Sequence, residues 1–133
     1  MRTASIAANR RFPLAKILIV DDSAEAADAV ATLLRQLGHD VRVAYDGKGA
    51  LRQASEDLPT VVLLDIGMPD TDGIEVSRRM RQSHGSKIRI IAFTGYLEGS
   101  ISDRLLAAHF DAILLKPSPF DAIVETIGRL TKA

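Results

Sequence analysis

The chain has 133 residues, with 17 basic and 17 acidic side chains, zero formal net charge and no cysteine. The balanced charge gives no global field that would favour nucleic acid or an anionic membrane surface, and the lack of cysteine excludes disulfides, thiolate metal sites and cysteine nucleophiles. Because no stretch approaches the roughly 18 apolar residues of a membrane span, we expect a cytoplasmic protein with no nucleic-acid or membrane partner.

The first 15 residues show no helical or strand period. They include Arg2, Arg10 and Arg11, and they lack the continuous apolar segment of a secretory signal. We predict a flexible leader over residues 1–15, to which we assign no function, and one domain over residues 16–131.

Short apolar runs predict the strands. Continuous apolarity indicates burial on both faces, which is typical of a parallel sheet covered by helices. The four runs of this kind are Ile17–Val20, Val61–Leu64, Ile88–Phe93 and Ala112–Leu115. A weaker, alternating run at Val41–Tyr45 predicts a fifth strand at an edge of the sheet.

Apolar residues at helical spacing predict five helices between and after these strands. The first begins near Ser23, a suitable N-cap, and ends at Gly38, a suitable C′ residue. The last is amphipathic, with Ser118 as its expected N-cap and Pro119 as its first residue. The other three are predicted around Gly49–Ser55, Asp72–Gln82 and Gly99–Ala108.

The alternation of strands and helices predicts the fold class. Five strands and five helices give an α/β fold with a doubly wound, five-stranded parallel sheet, in which right-handed crossovers place helices on both faces. Ligands in such folds bind outside the carboxyl ends of the strands. The residues at those ends are therefore the candidates for function.

Each buried strand is followed by, or ends in, a reactive or charged side chain at the carboxyl edge of the sheet. Asp21 and Asp22 follow the first strand, and Lys116 follows the last. Asp65 ends the strand at Val61–Leu64, and Thr94 ends the strand at Ile88–Phe93. Three carboxylates brought together repel one another, and a divalent cation with oxygen ligands, such as Mg²⁺, relieves the repulsion. A carboxylate can also attack phosphorus, so the constellation favours formation of an aspartyl phosphate beside Mg²⁺.

Each of these residues also has a simpler explanation when it is taken alone. Asp21 and Asp22 can cap the first helix. Asp65 can be a turn residue, and Thr94 can mark an ordinary strand exit before a glycine. Lys116 can pair with a neighbouring acid for structural reasons. The joint arrangement is more specific than any one of its members.

With these residues, the chain resembles the receiver domains of two-component response regulators, of the single-domain, chemotaxis-regulator-like kind. The resemblance covers about Lys16–Leu130, and it implies a flavodoxin-like receiver fold with strand order 2-1-3-4-5. The motifs that carry it are KILIVDDS at Lys16–Ser23, VVLLDIGMPDTDG at Val61–Gly73, IIAFTG at Ile90–Gly95 and LLKP at Leu114–Pro117.

The resemblance implies that Asp65 is the phosphoacceptor. The implied donor is a sensor histidine kinase or a histidine phosphotransfer protein, and the phosphoryl group is later lost by autodephosphorylation. Asp22, Asp65 and the backbone carbonyl of Gly67 are the implied Mg²⁺ ligands. Asp21 is implied to act mainly through a metal-bound water.

The resemblance also implies the remaining roles. Thr94 is the implied switching hydroxyl, and Lys116 is the implied phosphoryl-binding cation, joined to Pro117 by a cis peptide bond. The chain would catalyse chemistry on itself only and act through protein contact, as a monomer or a weak homodimer. Because three residues follow Leu130, we expect no output domain, in either a stand-alone regulator or a piece of a hybrid kinase.

Two positions depart from the family pattern, and two others are implied to affect how fast the phosphoryl group is hydrolysed. Ile113 stands where the family usually has an aromatic residue that moves with the threonine, so we expect another route for the signal. We interpret His109, at a common glycine position, as a tolerated helix cap. Gly67 and Tyr96 are implied to flank the path of the hydrolytic water, and we predict that Gly67 leaves it open while Tyr96 partly covers it.

Other functional classes are weaker. A phosphorylation-independent interaction module with the same fold is the main alternative, and the intact set of polar residues argues against it. A flavin or nucleotide binder would need a glycine-rich loop after the first strand. We interpret the basic residues Arg78, Arg79 and Arg81 of the third helix as a solvated or kinase-docking face rather than a DNA-recognition surface.

Overall fold

The computed structural model describes residues 13–68, 72–95 and 110–131. A five-stranded parallel sheet runs through the molecule in the order β2-β1-β3-β4-β5. The strands are β1 (Lys16–Val20), β2 (Asp40–Ala44), β3 (Val61–Asp65), β4 (Arg89–Thr94) and β5 (Ala112–Leu115). The predicted sheet and its strand order are confirmed.

Four helices lie within the described residues. They are α1 (Ala24–Gln36), α2 (Gly47–Glu56), α3 (Gly73–His84) and α4 (Phe120–Thr131), and a short 3₁₀ turn at Gly85–Lys87 follows α3. None of them has the length and apolarity needed to cross a bilayer. The helix predicted at Gly99–Ala108 lies outside the described residues, and so do the first twelve residues of the predicted leader.

The core forms two layers, one on each face of the sheet. Side chains alternate along each strand, so Ile17 and Ile19 of β1 face one layer while Leu18 and Val20 face the other. Helices α1 and α4 cover the first layer, and α2 and α3 cover the second. Burying each large aliphatic side chain contributes about 1.5–3 kcal/mol, which explains why central strands tolerate so few polar residues.

The end of α1 agrees with the sequence prediction, whereas the start of α4 differs from it. Gly38 has φ of 100° just beyond α1, and its N–H donates to the Arg35 carbonyl at 2.9 Å. Ser118 is not the N-cap of α4, because Pro119 directly precedes the helix; the Ser118 hydroxyl donates to the Leu115 carbonyl. The Pro119 carbonyl instead accepts the Ile123 N–H, and the helix begins at Phe120.

The two edge strands differ in how well the sequence predicted their burial. The alternating β2 lies at one edge, as expected from its pattern. The continuously apolar β5 was expected to be buried, but three of its residues are half-buried and Leu115 is 52% exposed. The reason is position, since β5 forms the opposite edge of the sheet and has a neighbour only in β4 among the described strands.

Gly73 allows α3 to pack closely on the turn after β3. A Cβ atom at this position would lie 2.8 Å from the Ile66 Cα and 3.2 Å from the Asp65 carbonyl oxygen. We expect Gly73→Ala to lower the free energy of unfolding by about 1–2 kcal/mol, because backbone atoms cannot move aside as a side chain can. Urea denaturation would measure the change.

Gly67→Ala is the matched control in the same turn. Its added Cβ would meet only the Asp65 Oδ1, at an ordinary 3.6 Å. Equal stability of the two variants would show that the close approach at Gly73 does not constrain the turn.

Candidate functional site

The polar residues predicted from the strand ends lie together at the carboxyl edge of the sheet. Asp21, Asp65 and Thr94 are buried, with 4%, 8% and 3% of their surfaces exposed. Asp22 is exposed. Lys116 follows β5, yet its ammonium reaches the carboxylate at the end of β1. Parallel strands end at the same edge, so residues separated by 95 positions meet in one site.

Asp21 is fixed through its backbone and its side chain. Its N–H donates to the Ala44 carbonyl at 3.1 Å, and its Oδ1 accepts the Ser23 N–H at 3.0 Å. The N-terminus of α1 is capped by Ser23, whose hydroxyl accepts the Ala26 N–H. Because Ser23 supplies the cap, capping does not account for the buried carboxylate of Asp21.

Asp65 combines a local turn contact with burial. Its Oδ1 accepts the Gly67 N–H at 2.9 Å, as a turn residue would. Burial raises the pKa of Asp65, and the charge of Asp21 adds to the rise, whereas the Gly67 N–H and Lys116 oppose it. The raised pKa of Asp65 means that its hydrogen-bond and charge partners do not fully offset the cost of burying the ionised carboxylate.

Lys116 bridges the two buried carboxylates. Its Nζ lies 3.0 Å from the Asp21 Oδ2 and 3.4 Å from the Asp65 Oδ2. Although burial opposes its charge, these partners outweigh burial and raise the pKa of Lys116. Its backbone N–H donates to the Thr94 carbonyl at 2.8 Å, and its bond to Pro117 is cis, as expected.

The carboxylates form a group that could hold a cation. Oxygens of Asp21, Asp22 and Asp65 lie within 4.8 Å of one another. When all three are ionised, the ammonium of Lys116 balances one of the three negative charges, as far as the described residues show. Hard oxygen donors in this number suit Mg²⁺ or another hard divalent cation.

Phe93 is a neighbour of the site that the sequence did not single out. The centroid of its ring lies 5.1 Å from the Lys116 Nζ, a cation–π contact that typically contributes about 0.5–2 kcal/mol. Its position in the sequence, directly before Thr94 at a strand end, could have indicated that it lies near the site. The sequence predictions for Tyr96 and His109 concern residues outside the described ranges.

Lys116 can be tested as the cation that stabilises the buried acids. In the absence of divalent cations, we expect Lys116→Met to lower the free energy of unfolding by about 2 kcal/mol, because Asp21 and Asp65 would face each other without compensation. Urea denaturation in EDTA would measure the change.

Lys16→Met is the matched control, since Lys16 pairs with Asp57 at 2.7 Å on the surface. Water screens that pair, so we expect little change. Equal losses for both variants would contradict a special role of the buried cluster.

Comparison with known proteins identifies the family. The family model described as "Response regulator receiver domain" matches residues 17–128. The response regulator MprA of Mycolicibacterium vanbaalenii is 35% identical over 115 residues, which are 86% of this chain and 48% of MprA. The chain thus spans about half the length of the curated relatives it matches.

Solved structures agree with this assignment. A CheY-like response regulator receiver domain protein from Methanospirillum hungatei JF-1 has a TM-score of 0.82 and 28% identity, covering 88% of this chain and 93% of its own. Vibrio cholerae chemotaxis protein CheY4 has a TM-score of 0.82 and 28% identity, with 89% and 99% coverage. The chain therefore belongs to the response regulator receiver domains of two-component systems.

Proposed function

We propose that the chain accepts a phosphoryl group on Asp65 and acts as a Mg²⁺-dependent switch. The observation that carries the proposal is the environment of this carboxylate. It is buried at the end of β3, with the Lys116 Nζ 3.4 Å from its Oδ2 and with oxygens of Asp21 and Asp22 within 4.8 Å of its own.

The proposed donor is the phosphohistidine of a sensor histidine kinase or a histidine phosphotransfer protein. A carboxylate oxygen of Asp65 attacks phosphorus, the bond between phosphorus and the histidine nitrogen breaks, and that nitrogen leaves with the electron pair. In autodephosphorylation, water attacks phosphorus and the bond to the carboxylate oxygen breaks. The products are inorganic phosphate, the regenerated carboxylate and one proton released to solvent.

Asp21, Asp22 and Asp65 fit a Mg²⁺ site, because their oxygens converge and Lys116 compensates only part of their charge. In this proposal Asp22, Asp65 and the Gly67 carbonyl ligate the ion directly, and Asp21 acts mainly through a metal-bound water. Bound Mg²⁺ would supply electrostatic stabilisation of the charge on the transferring phosphoryl oxygens.

Lys116 and Thr94 complete the proposed site. The Lys116 ammonium already lies beside the Asp65 Oδ2, so it needs only a small movement to pair with a phosphoryl oxygen. Thr94 ends the neighbouring strand β4, where Asp65 is paired in register with Phe93, and its hydroxyl would hydrogen-bond to another phosphoryl oxygen. Lys116 would thus act through its charge, and Thr94 through a hydrogen bond.

We propose that output comes through protein contact, with the chain as a monomer or a weak homodimer. A receiver-fold module that works without phosphorylation is the second candidate. The group of three carboxylates and one ammonium favours the switch, because such a cluster is electrostatically unfavourable by itself and is explained by binding of a cation for phosphoryl transfer.

Phosphorylation can be tested with acetyl phosphate and Mg²⁺, followed by intact mass measurement. We expect the wild-type chain to gain one phosphoryl group, because the buried carboxylate of Asp65 is positioned for attack. The Asp65→Asn variant should gain none, since an amide cannot serve as the acceptor.

Asp40→Asn is the matched control, because Asp40 is an exposed acid at the start of β2, at the opposite edge of the sheet. It should label like the wild type. Labelling of Asp65→Asn, or lack of labelling of the wild type, would contradict Asp65 as the acceptor.

Mg²⁺ binding can be tested separately by thermal unfolding. A cation that binds only the folded state stabilises it, by about 2.7 kcal/mol at one hundred times its dissociation constant. We expect Mg²⁺ to raise the Tm of the wild type and Asp40→Asn, and to have a much smaller effect on Asp22→Asn. Each sample would be compared with NaCl at the same ionic strength, and equal shifts in the three proteins would contradict the assigned ligand.

A further inference from the structure

Phe93 lies at the point where the site meets the first core layer. It is partly buried and packs against the layer that α1 and α4 cover. Adjacent residues of a strand point to opposite faces, so Phe93 and Thr94 place their side chains on different sides of the sheet. The end of β4 therefore offers one side chain to each face.

The ring of Phe93 contacts the ammonium of Lys116, which also lies beside Asp65. The Lys116 Nζ lies 5.1 Å from the ring centroid, 3.0 Å from the Asp21 Oδ2 and 3.4 Å from the Asp65 Oδ2. A phosphoryl group on Asp65 adds negative charge and new acceptor oxygens, so it draws the ammonium toward itself. Movement of the ammonium in that direction changes its contact with the ring.

A cleft beside the ring gives it room to respond. The cleft has a volume of about 260 Å³ and lies between α1, α4 and the ends of the strands. Most of its lining is apolar, and Lys116 and Asp21 lie at its border with the site. The apolar residues that line it include Ile19, Ala27, Val30, Leu63, Phe93 and Ile123.

We propose that Phe93 is a positioning residue for Lys116 and transmits the charge state of Asp65 to the cleft between α1 and α4. This inference rests on the proposed function, because it needs a phosphoryl group at Asp65. When Lys116 moves toward that group, the ring of Phe93 turns into the cleft and changes its shape. Residue 113 takes no part in this route, so an isoleucine there, half-buried in β5, does not block it.

The movement of the ring can be observed in protein labelled with fluorophenylalanine. The chain has four phenylalanines, and Phe93→Leu identifies the resonance of interest by its loss. With beryllofluoride and Mg²⁺ as the phosphoryl mimic, we expect the Phe93 resonance to shift. The Phe110 resonance should shift less, because Phe110 packs against the opposite core layer.

A second readout separates transmission from a local charge effect on the ring. In the wild type we expect the mimic to shift the Gly67 amide, which marks binding beside Asp65, and the methyl groups of Ala27 and Ile123, which line the cleft. In Phe93→Leu we expect the Gly67 amide to shift as in the wild type, whereas the Ala27 and Ile123 methyl groups should no longer shift. In the matched variant Phe110→Leu they should persist.

The outcomes separate this inference from the proposed function. A Gly67 shift together with an unmoved Phe93 resonance, or with cleft methyl shifts that persist in Phe93→Leu, would overturn the role of Phe93 and leave phosphorylation of Asp65 standing. If the wild type showed no shift at Gly67, Phe93 or the cleft, the proposed switch itself would fail.

Discussion

The crowding of three carboxylates around one ammonium is the constraint on which the site depends. Asp21 and Asp65 are buried, and Lys116 lies within 3.4 Å of an oxygen of each. Burial disfavours ionised carboxylates, and their mutual repulsion adds to that cost. The fold holds them together nevertheless, because each is carried by a strand that the two core layers fix in place. A fully compensated cluster would gain less from a bound cation, so the incomplete compensation is what favours a divalent cation at this site.

The neighbouring contacts connect the site to the rest of the fold. Lys116 joins the end of β1 to the end of β3 and also contacts the ring of Phe93. Gly73 brings α3 against the backbone that follows Asp65, so the turn after β3 is constrained by that helix. A change of charge at Asp65 therefore acts on a cation with several partners within rigid surroundings. In such surroundings, the apolar cleft between α1 and α4 offers free volume for a side chain to move.

The sequence predicted the strands, their parallel arrangement and the residues at their ends, since continuous apolar runs and polar strand ends are local patterns. The prediction for Ser118 was wrong because α4 begins one residue later than expected, at Phe120, while the serine hydroxyl donates to the Leu115 carbonyl, which only the folded turn brings near. The predicted burial of β5 was also wrong, because apolar content does not tell whether a strand lies inside a sheet or at its edge. The strand order came from the family resemblance rather than from the residue pattern.

For Asp65, the sequence by itself determined that a carboxylate ends a buried strand, alongside Asp21, Asp22, Thr94 and Lys116 at equivalent positions. Residue types and strand ends are encoded locally, so this much follows without coordinates. Only the tertiary structure decided that Lys116 lies closer to Asp21 than to Asp65, and that Phe93 contacts the same ammonium. Those distances depend on how strands far apart in sequence are aligned and on which side chains share one space, and no local pattern encodes either.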